Sequence, residues 1–375
     1  MTVPLLDLAA QHLEVADEVG IGLADVFRRT AFVGGREVGE FEREYAAHVG
    51  AAHCVGAANG TDALELALRA VGVTPGGEVI VPANTFIATA EAVSRIGARP
   101  VLVDVDDKHL LIDPDHVGSA ITSRTQAVVP VHLFGQTAFV EQVREAVGDT
   151  GIPVVEDAAQ AQGALRFGRP AGSLGAVAAT SFYPGKNLGA AGDAGAVTTD
   201  DPEIARLVRT LAAHGSPTKY VHDVVGMNSR LDTVQAVVLR AKLKRLAGWN
   251  EDRRKAAERY ETMLSAVPGV TLPSSAPGNV DVWHLYVVQV DDRDAVIQSL
   301  HAAGVGAGVH YPTPIHLTGA YAHLGLPRGR FPTSEAAANR ILSLPMFPHI
   351  TPEQQEHVTS SLASALTTTR TRRGC

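Results

Sequence analysis

The chain has 375 residues, of which 45% are hydrophobic and 19% charged, and its formal net charge is −8. An acidic chain of ordinary composition is not expected to bind nucleic acid, because such partners require a basic face. The length exceeds what one hydrophobic core usually supports, so the sequence predicts two domains.

The cysteine content and the apolar runs bear on cellular location. Cys54 and Cys375 are the only cysteines, and their spacing fits neither a disulfide framework nor a metal site. The N-terminus is acidic and lacks an apolar stretch of signal-peptide length, and no run reaches the roughly 18 uncharged apolar residues of a membrane helix. The sequence therefore predicts a cytoplasmic protein with no membrane contact and no metal.

Residues 5–29 and 38–48 have helical spacing of apolar residues, and from Cys54 onward strands alternate with helices. The predicted strands are 54–58, 78–81, 100–105, 127–131 and 152–155, and the helices between them are 63–71, 85–96, 114–121 and 138–147. This alternation predicts an α/β fold with a mostly parallel sheet covered by helices on both faces.

The second half of the chain continues with a mixed pattern. The predicted elements are two strands within 175–199, one of them antiparallel, a helix at 201–211, a long helix at 231–264, a strand at 282–290, a helix at 291–303, a strand at 305–310, and helices at 333–343 and 352–366. We expect a large domain (1–230), a linking long helix (231–266), a small C-terminal α/β domain (267–366) and a disordered polar tail (367–375).

Lys186 lies in a turn between two predicted strands, where Pro184 and Gly185 hold it at the mouth of the sheet. A lysine in such a place suits imine formation with an aldehyde, which requires the neutral amine that partial burial favours. The alternative is an ordinary surface lysine.

Three other features lie at the same edge of the predicted sheet. Asp157 follows a buried strand and either faces a protonated heterocyclic nitrogen or forms a salt bridge or helix cap. Gly60 and Thr61 open a helix, where they bind an anion or serve as an ordinary cap. Phe86 stacks on a flat ring or belongs to the core. With the lysine, these features together fit pyridoxal 5′-phosphate (PLP), a planar, anionic, nitrogen-containing aldehyde.

Five ordered motifs resemble the DegT/DnrJ family of nucleotide-sugar aminotransferases, which have the fold type I architecture of aspartate aminotransferase. They are NGTDAL (59–64), PANTF (82–86), PVHLFG (130–135), EDAAQ (156–160) and SFYPGKNLG (181–189). The resemblance extends from residues 4–8 to residues 344–347, which is nearly the whole chain.

The resemblance assigns roles to the cofactor residues. It implies Lys186 as the Schiff-base lysine, Asp157 as the partner of the pyridine nitrogen, Gln160 on the phenolic oxygen, Phe86 stacked on the ring, Gly60, Thr61 and Ser181 on the phosphate, and Asn228 on the phosphate of the neighbouring subunit. The last role implies a homodimer with shared active sites. Met227 departs from the family pattern, in which an aromatic residue is commoner at this position.

Substrate residues are also implied by the resemblance: Tyr183, Lys219, Tyr220, Arg230, His310, Tyr311 and His316. Lys219, or Arg230 of a neighbouring chain, would neutralise a diphosphate, and the alternative for both is a solvated surface charge. For His310 and His316 the alternative is an ordinary hydrogen-bonded histidine.

The resemblance implies a PLP-dependent aminotransferase that acts on a keto-deoxysugar attached to a nucleoside diphosphate, expected to be dTDP. Glutamate is the expected amino donor, with the pyridoxamine form (PMP) of the cofactor carrying the amino group, in the biosynthesis of a deoxyaminosugar for a secondary metabolite such as an antibiotic. Two alternatives stay open: a keto-inositol aminotransferase and a PLP-binding regulator without turnover. The sequence leaves open whether C3 or C4 of the sugar is aminated.

Overall fold

The alternation of buried strands and amphipathic helices predicted from Cys54 onward is present in the structure, a computed structural model that describes residues 1–373 and the side chains of residues 1–368. The helices are α1 Leu8–Leu13, α2 Ala16–Arg29, α3 Arg36–Val49, α4 Gly60–Ala70, α5 Ala88–Arg95, α6 Pro114–Ala120, α7 Val140–Val147, α8 Pro202–Ala212, α9 Thr233–Leu264, α10 Arg293–Ala302, α11 Pro332–Arg340 and α12 Pro352–Arg373. The strands are β1 His53–Ala57, β2 Glu78–Pro82, β3 Arg99–Val103, β4 Thr125–Val128, β5 Val155–Asp157, β6 Leu165–Arg166, β7 Arg169–Pro170, β8 Val177–Ser181, β9 Gly195–Thr199, β10 Val270–Thr271, β11 Asn279–Val280, β12 Tyr286–Val290 and β13 Ile341–Leu344.

Seven strands form the central sheet. Hydrogen bonds join β1, β9, β8 and β5 in one set and β3, β2 and β4 in another. Parallel bridges from Val128 to Val154 and from Val131 to Asp157 connect the two sets, which places β4 beside β5. Only β9 runs antiparallel to its neighbours in this sheet. The mostly parallel, mixed sheet and the α/β fold class predicted from the sequence are therefore confirmed.

A second core lies around the antiparallel sheet β10-β12-β13. It buries Tyr260 and Leu264 from the end of α9, together with Val288, Leu300 and Leu362. The N-terminal segment joins this core through Val3, which pairs with Val305. The division at residues 230 and 266 remains our proposal, with these N-terminal and α9 residues contributing to the second unit.

Two elements of this second unit differ from the prediction. The strand predicted at 305–310 is absent, and only isolated bridges occur there. The backbone of Gly306 instead packs closely on the N-terminal segment, since a Cβ on it would lie 2.6 Å from the amide nitrogen of Leu5. Residues 341–343, predicted as the end of a helix, belong to strand β13 (Ile341–Leu344), because four consecutive buried residues suit a strand enclosed on both faces.

The C-terminal helix also extends beyond its predicted end. Helix α12 continues past Leu366 to Arg373, so residues 367–373 are helical where disorder is predicted. The remaining two residues of the predicted tail, 374 and 375, lie outside the described part of the chain.

The parallel strands place their carboxyl ends at one edge of the central sheet, which is where open α/β sheets bind ligands. Strand β5 ends at Asp157 and β8 ends at Ser181, and helix α4 begins after β1. None of the helices found within residues 1–373 is long and apolar enough to cross a bilayer. No group of three or more His, Cys, Asp or Glu side chains in the described part of the chain is arranged to hold a metal ion.

Candidate active site

The turn that carries Lys186 is fixed on both sides by buried contacts. The Phe182 amide donates a hydrogen bond to the Ala194 carbonyl, and the Ala190 amide donates one to the Phe182 carbonyl, each at 2.8 Å. A Cβ on Gly189 would lie 2.2 Å from the Pro184 carbonyl oxygen, so the turn closes tightly only with glycine there. The turn therefore holds the lysine backbone in one place at the end of β8.

The residue after the lysine ties this turn to other parts of the molecule. The Asn187 side-chain nitrogen donates to Asn250 Oδ1 of α9 at 2.8 Å and to the Val282 carbonyl at 2.9 Å. Its oxygen lies 3.2 Å from His284 Nδ1, and both side chains are buried. The long helix and the second unit thus support the lysine turn directly.

The electrostatic surroundings of Lys186 favour its neutral amine. The residue as a whole keeps some solvent exposure, but its ammonium group lies among protein atoms. This burial lowers the pKa of Lys186 from 10.5 to about 8, although the Asp157 carboxylate acts to raise it. An amine with this pKa is partly neutral near pH 7.5, as a nucleophile requires.

Two histidines, the buried His284 and the partly buried His310, lie close enough to Lys186 for its charge to act on them. Burial, and after it the lysine charge, lowers the pKa of His284 well below its usual range and that of His310 to about 4. Nδ1 of His310 lies 2.8 Å from the Ser343 hydroxyl. Both imidazoles are therefore neutral at physiological pH, and Asp157 is the counter-charge of the lysine.

Asp157 is buried and its two oxygens are held by hydrogen bonds. Thr89 donates to Oδ2 at 2.8 Å, and the Ala159 amide donates to Oδ1 at 3.2 Å. A carboxylate has about four acceptor positions, so both oxygens keep capacity for a further donor. Burial raises the pKa of Tyr311 and the Asp157 charge raises it further, while the same charge opposes the lowering of the Lys186 pKa; the carboxylate therefore lies near both side chains.

The neighbouring acid, Glu156, has a different role. It is fully buried, and its oxygens accept from His132 Nε2 at 2.8 Å and from three backbone amides, those of Gly172, Leu174 and Gly175, at 2.6 to 2.8 Å. Burial alone would raise the pKa of Glu156, but these donors lower it. Adjacent strand residues face opposite sides, so Glu156 anchors the 172–175 loop while Asp157 faces the lysine.

Aromatic rings and an amide complete the cluster. Phe86 is half exposed, and its ring centroid lies 5.1 Å from that of Tyr311. Gln160 donates to the Tyr311 hydroxyl at 3.0 Å and accepts from the Phe134 amide at 2.7 Å. The amide nitrogen of Gln160 retains a second hydrogen that can bind a ligand oxygen.

Helix α4 begins against the end of β8. A Cβ on Gly60 would lie 2.5 Å from the Ser181 Cβ, and one on Gly195 would lie 2.4 Å from the Asn59 carbonyl oxygen. The Asn59 side chain caps the helix by accepting from the Asp62 amide. The amides of Gly60 and Thr61 precede the first intrahelical bonds and point to an anion site beside Ser181.

Replacement of Gly60 by alanine is expected to weaken anion binding, because the new methyl group would force α4 away from Ser181. Overpacking of this kind costs about 1–3 kcal/mol of stability. We expect a lower melting temperature and a weaker affinity for PLP, measured by titration of the apoenzyme. The matched control is Gly248→Ala in α9, where a Cβ meets no atom within 4 Å. If Gly60→Ala binds the cofactor as tightly as the wild type does, the phosphate does not bind at the start of α4.

The pH dependence of cofactor loading follows from the pKa of Lys186. That pKa is about 8, so the neutral fraction, and with it the rate at which PLP adds to the apoenzyme, should rise with pH and level off above about 8. Asp157 raises this pKa, so Asp157→Asn should move the midpoint to lower pH. Stopped-flow absorbance measures the rate, and a midpoint near the ordinary lysine value of 10.5 would contradict the burial of the amine.

Four residues to which the family resemblance assigns cofactor or substrate roles do not contact the Lys186 cluster of the same chain. Asn228 and Arg230 are exposed and bond to each other at 3.2 Å, while Ser229 between them accepts from the Ala58 amide at 3.1 Å. Lys219 lies over the exposed ring of Tyr220, 5.0 Å from its centroid. Within the described residues, no hydrogen bond or ring contact joins these four implied side chains to Lys186.

Tyr183 and His316 have contrasting environments. Tyr183 is exposed beside the lysine turn. His316 is buried, pairs with Glu335 at 2.9 Å and packs edge-on against Phe331 at 4.8 Å. These contacts are those of a structural histidine, the alternative that the sequence left open for this residue.

Sequence reasoning missed two residues of the cluster. Thr89, which bonds Asp157, lies four residues after Thr85, and its position on a predicted helix next to the PANTF motif was the available signal. His284 is far from the lysine in sequence and sits in no motif, so only the folded chain reveals it.

Comparison with known proteins gives concordant findings. The sequence model of the DegT/DnrJ/EryC1/StrS aminotransferase family matches residues 18–363. The erythromycin biosynthesis sensory transduction protein EryC1 of Saccharopolyspora erythraea is 48% identical over 362 residues, 96% of this chain and 99% of the relative. The dTDP-3-amino-3,4,6-trideoxy-alpha-D-glucose transaminase of Streptomyces venezuelae is 47% identical over 348 residues, 93% of this chain and 92% of the relative.

A solved structure extends the similarity to the whole fold. The crystal structure of S. venezuelae DesV in complex with a ketimine intermediate superimposes with a TM-score of 0.95 and 45% identity. It covers 97% of this chain and 98% of that chain. The fold type I architecture predicted from the sequence is thereby confirmed.

Proposed function

The chain belongs to the DegT/DnrJ/EryC1/StrS aminotransferase family, and from this premise we propose that it transfers an amino group from glutamate to C3 of a dTDP-linked keto-deoxysugar. The observation that carries the proposal is the buried Lys186 amine, with a pKa of about 8, beside the Asp157 carboxylate. The choice of C3 and of dTDP rests on the similarity to the S. venezuelae transaminase over nearly the whole chain. The product would be a deoxyaminosugar for secondary metabolism.

The cofactor of this aminotransferase family is PLP, and the residues present fit it. The close approach of Gly60 to Ser181, which a Cβ would prevent, exposes helix amides suited to the phosphate. Asp157 has free acceptor capacity for a protonated ring nitrogen, and Phe86 offers a half-exposed ring face. Gln160 retains one amide hydrogen for the phenolic oxygen.

When bound, PLP supplies a conjugated ring that takes up the electron pair left at the substrate carbon after proton loss. Asp157 would accept a hydrogen bond from the ring nitrogen and favour its protonated state. The Lys186 amine would hold the cofactor through its aldehyde until an incoming amine displaces it, and once free it would carry the proton from the substrate carbon to the cofactor carbon. Thr89 and the Ala159 amide keep Asp157 oriented throughout.

A homodimer with shared sites is part of the proposal. The chain exposes apolar side chains on the 214–225 segment and around α2, among them Tyr220, Val225 and Phe27 at 82%, 94% and 62% exposure. Large exposed apolar groups of this kind mark protein interfaces. In the proposed dimer, Asn228 of one subunit contacts the cofactor phosphate bound by its partner and Arg230 is available to the partner's substrate, the roles that the family resemblance implies for them.

The substrate assay uses the holoenzyme with glutamate and either dTDP-3-keto-6-deoxyglucose or its 4-keto isomer, followed by NMR of the product. We expect the 3-amino sugar from the first and no product from the second. Amination of the 4-keto isomer alone would overturn the C3 assignment. Calorimetry with dTDP separates this function from a keto-inositol aminotransferase, which would not bind the nucleotide.

A regulatory role is the second candidate, because one close relative carries the name of a sensory transduction protein. The glutamate half-reaction distinguishes the two. Conversion of the bound PLP to PMP by glutamate alone supports the enzyme, and a spectrum that glutamate leaves unchanged supports the regulator.

A further inference from the structure

The 282–285 segment, just before β12, is attached to the turn that follows β4. The Val282 amide donates to the Gly135 carbonyl at 2.9 Å, and the Leu285 amide donates to the Phe134 carbonyl at 3.1 Å. These two backbone hydrogen bonds give the segment a fixed position relative to that turn.

The same segment also holds the lysine turn. The Asn187 side-chain nitrogen donates to the Val282 carbonyl at 2.9 Å, and Nδ1 of His284 lies 3.2 Å from Asn187 Oδ1. Asn187 is 1% exposed and His284 is 7% exposed, so water does not compete freely for these bonds. Because Asn187 directly follows Lys186 in the chain, its side chain connects the segment to the lysine.

The acceptors of this network determine which nitrogen of His284 carries the proton. A backbone carbonyl only accepts, so the Asn187 amide presents its nitrogen to Val282 and its oxygen to His284. Asn250 fits the same orientation, since its oxygen accepts from Asn187 at 2.8 Å and its nitrogen donates to the Gln162 carbonyl at 2.8 Å. His284 Nδ1 is therefore the donor at the start of a chain that runs through two buried amides.

The neutral state of His284 suits this role. Burial, and after it the charge of Lys186, lowers the pKa of His284 well below its usual range, so the ring adds no positive charge that would repel the lysine. Within the described residues, His284 is the one hydrogen-bond donor to Asn187 Oδ1. Loss of this donor would leave a buried oxygen unpaired, which destabilises the orientation of the Asn187 side chain.

We propose that His284 is a positioning residue, which holds Lys186 in place relative to Gln160 by donating to Asn187. Gln160 accepts from the Phe134 amide at 2.7 Å, so the same segment supports both side chains. The aldehyde and the phenolic oxygen of PLP are on neighbouring ring atoms, and groups that reach them require a defined separation. This proposal rests on the role of Lys186 proposed above.

The test compares PLP with PMP, which has an amine in place of the aldehyde and forms no bond to the lysine. In His284→Leu, we expect addition of PLP to the apoenzyme to slow about 10- to 100-fold, the cost of misplacing a reacting group by about 1 Å. Stopped-flow absorbance measures this rate. The affinity for PMP, measured by calorimetric titration, should stay near that of the wild type.

A matched variant and a control identify the cause. Asparagine has the same branched skeleton as leucine and can place a donor where Nδ1 of the imidazole lies, so His284→Asn should restore the rate of PLP addition. The control Tyr260→Phe also removes a buried donor, from the Pro345 carbonyl at 3.0 Å in the second core. It should lower stability and leave PLP addition unchanged.

Equal loss of PLP and PMP binding in His284→Leu, an unchanged rate of PLP addition, or no rescue by His284→Asn overturns the proposal. If His284→Leu does not fold, His284→Gln replaces it. The glutamine nitrogen lies near the position of Nε2, so the same selective loss is expected, and its absence overturns the proposal. Wild-type addition of PLP to Lys186→Ala would instead refute the role of Lys186, and the role of His284 with it.

Discussion

Replacement of Lys186 by alanine is expected to abolish turnover and the absorbance band of the lysine-bound cofactor. The amine is the nucleophile that binds the aldehyde and the group that moves the substrate proton, and no other side chain of the cluster is an amine. In other enzymes, removing a catalytic residue that acts together with its neighbours lowers kcat by up to about 10⁶-fold. Visible absorbance spectroscopy and a glutamate turnover assay measure both effects.

The matched control is Lys242→Met. Lys242 is also buried, and burial lowers its pKa too, but its ammonium donates to the Gly189 carbonyl at 2.8 Å. This variant should retain the band and lose stability, because the carbonyl loses its partner. A Lys186→Ala enzyme that keeps its band while Lys242→Met loses it would reverse the assignment of the two lysines.

Replacement of Asp157 by asparagine is expected to lower turnover by at least about 10²-fold, which corresponds to about 2.7 kcal/mol of activation free energy. The amide carries no charge to keep the ring nitrogen protonated. Its oxygen still accepts from Thr89, so the melting temperature should stay near that of the wild type. Covalent attachment at Lys186 should survive. Turnover and thermal unfolding are the measurements.

The contrasting variant is Glu156→Gln, one residue earlier. Glu156 accepts from His132 and three backbone amides in a fully buried site, so an amide there leaves donors facing donors and should cost several kcal/mol of stability, on the order of 3–5. Glu156→Gln should therefore lower the free energy of unfolding strongly and turnover at full cofactor occupancy only slightly. Equal effects of the two variants on turnover at full cofactor occupancy would remove the special role of Asp157.

The sequence predicted those parts of the site that depend on local spacing. The run from β8 through Pro184, Gly185 and Lys186 is contiguous, so strand, turn and lysine could be read together. Asp157 at the end of a buried strand and Gly60 at a helix start were likewise local features. The structure places all of them at one edge of the sheet because parallel strands align their carboxyl ends.

The parts that the sequence could not predict depend on contacts between distant segments. His284 reaches the lysine turn through Asn187, 97 residues away. The different roles of the adjacent acids Glu156 and Asp157 could not be predicted, because they depend on which distant segments pack against each face of β5. The strand β13 was mistaken for helix because four buried residues in a row carry no period that distinguishes the two.

The surroundings of the two histidines implied for the substrate site were also indistinguishable in the sequence. His310 and His316 lie in one short segment. Burial and the charge of Lys186 lower the pKa of His310, whereas His316 pairs with Glu335 in the core. The difference arises from the neighbours that the fold supplies and not from the residues beside them in the chain.

The most direct measurement is borohydride reduction of the holoenzyme, which converts the bond between lysine and cofactor to a stable secondary amine, followed by peptide mass spectrometry. The chain has six lysines, at 108, 186, 219, 242, 244 and 255, so the modified site is unambiguous. The adduct is expected on Lys186 alone in the wild type and should be absent from Lys186→Ala. An adduct on Lys242 or any other lysine, or none at all in a protein saturated with PLP, would contradict the account.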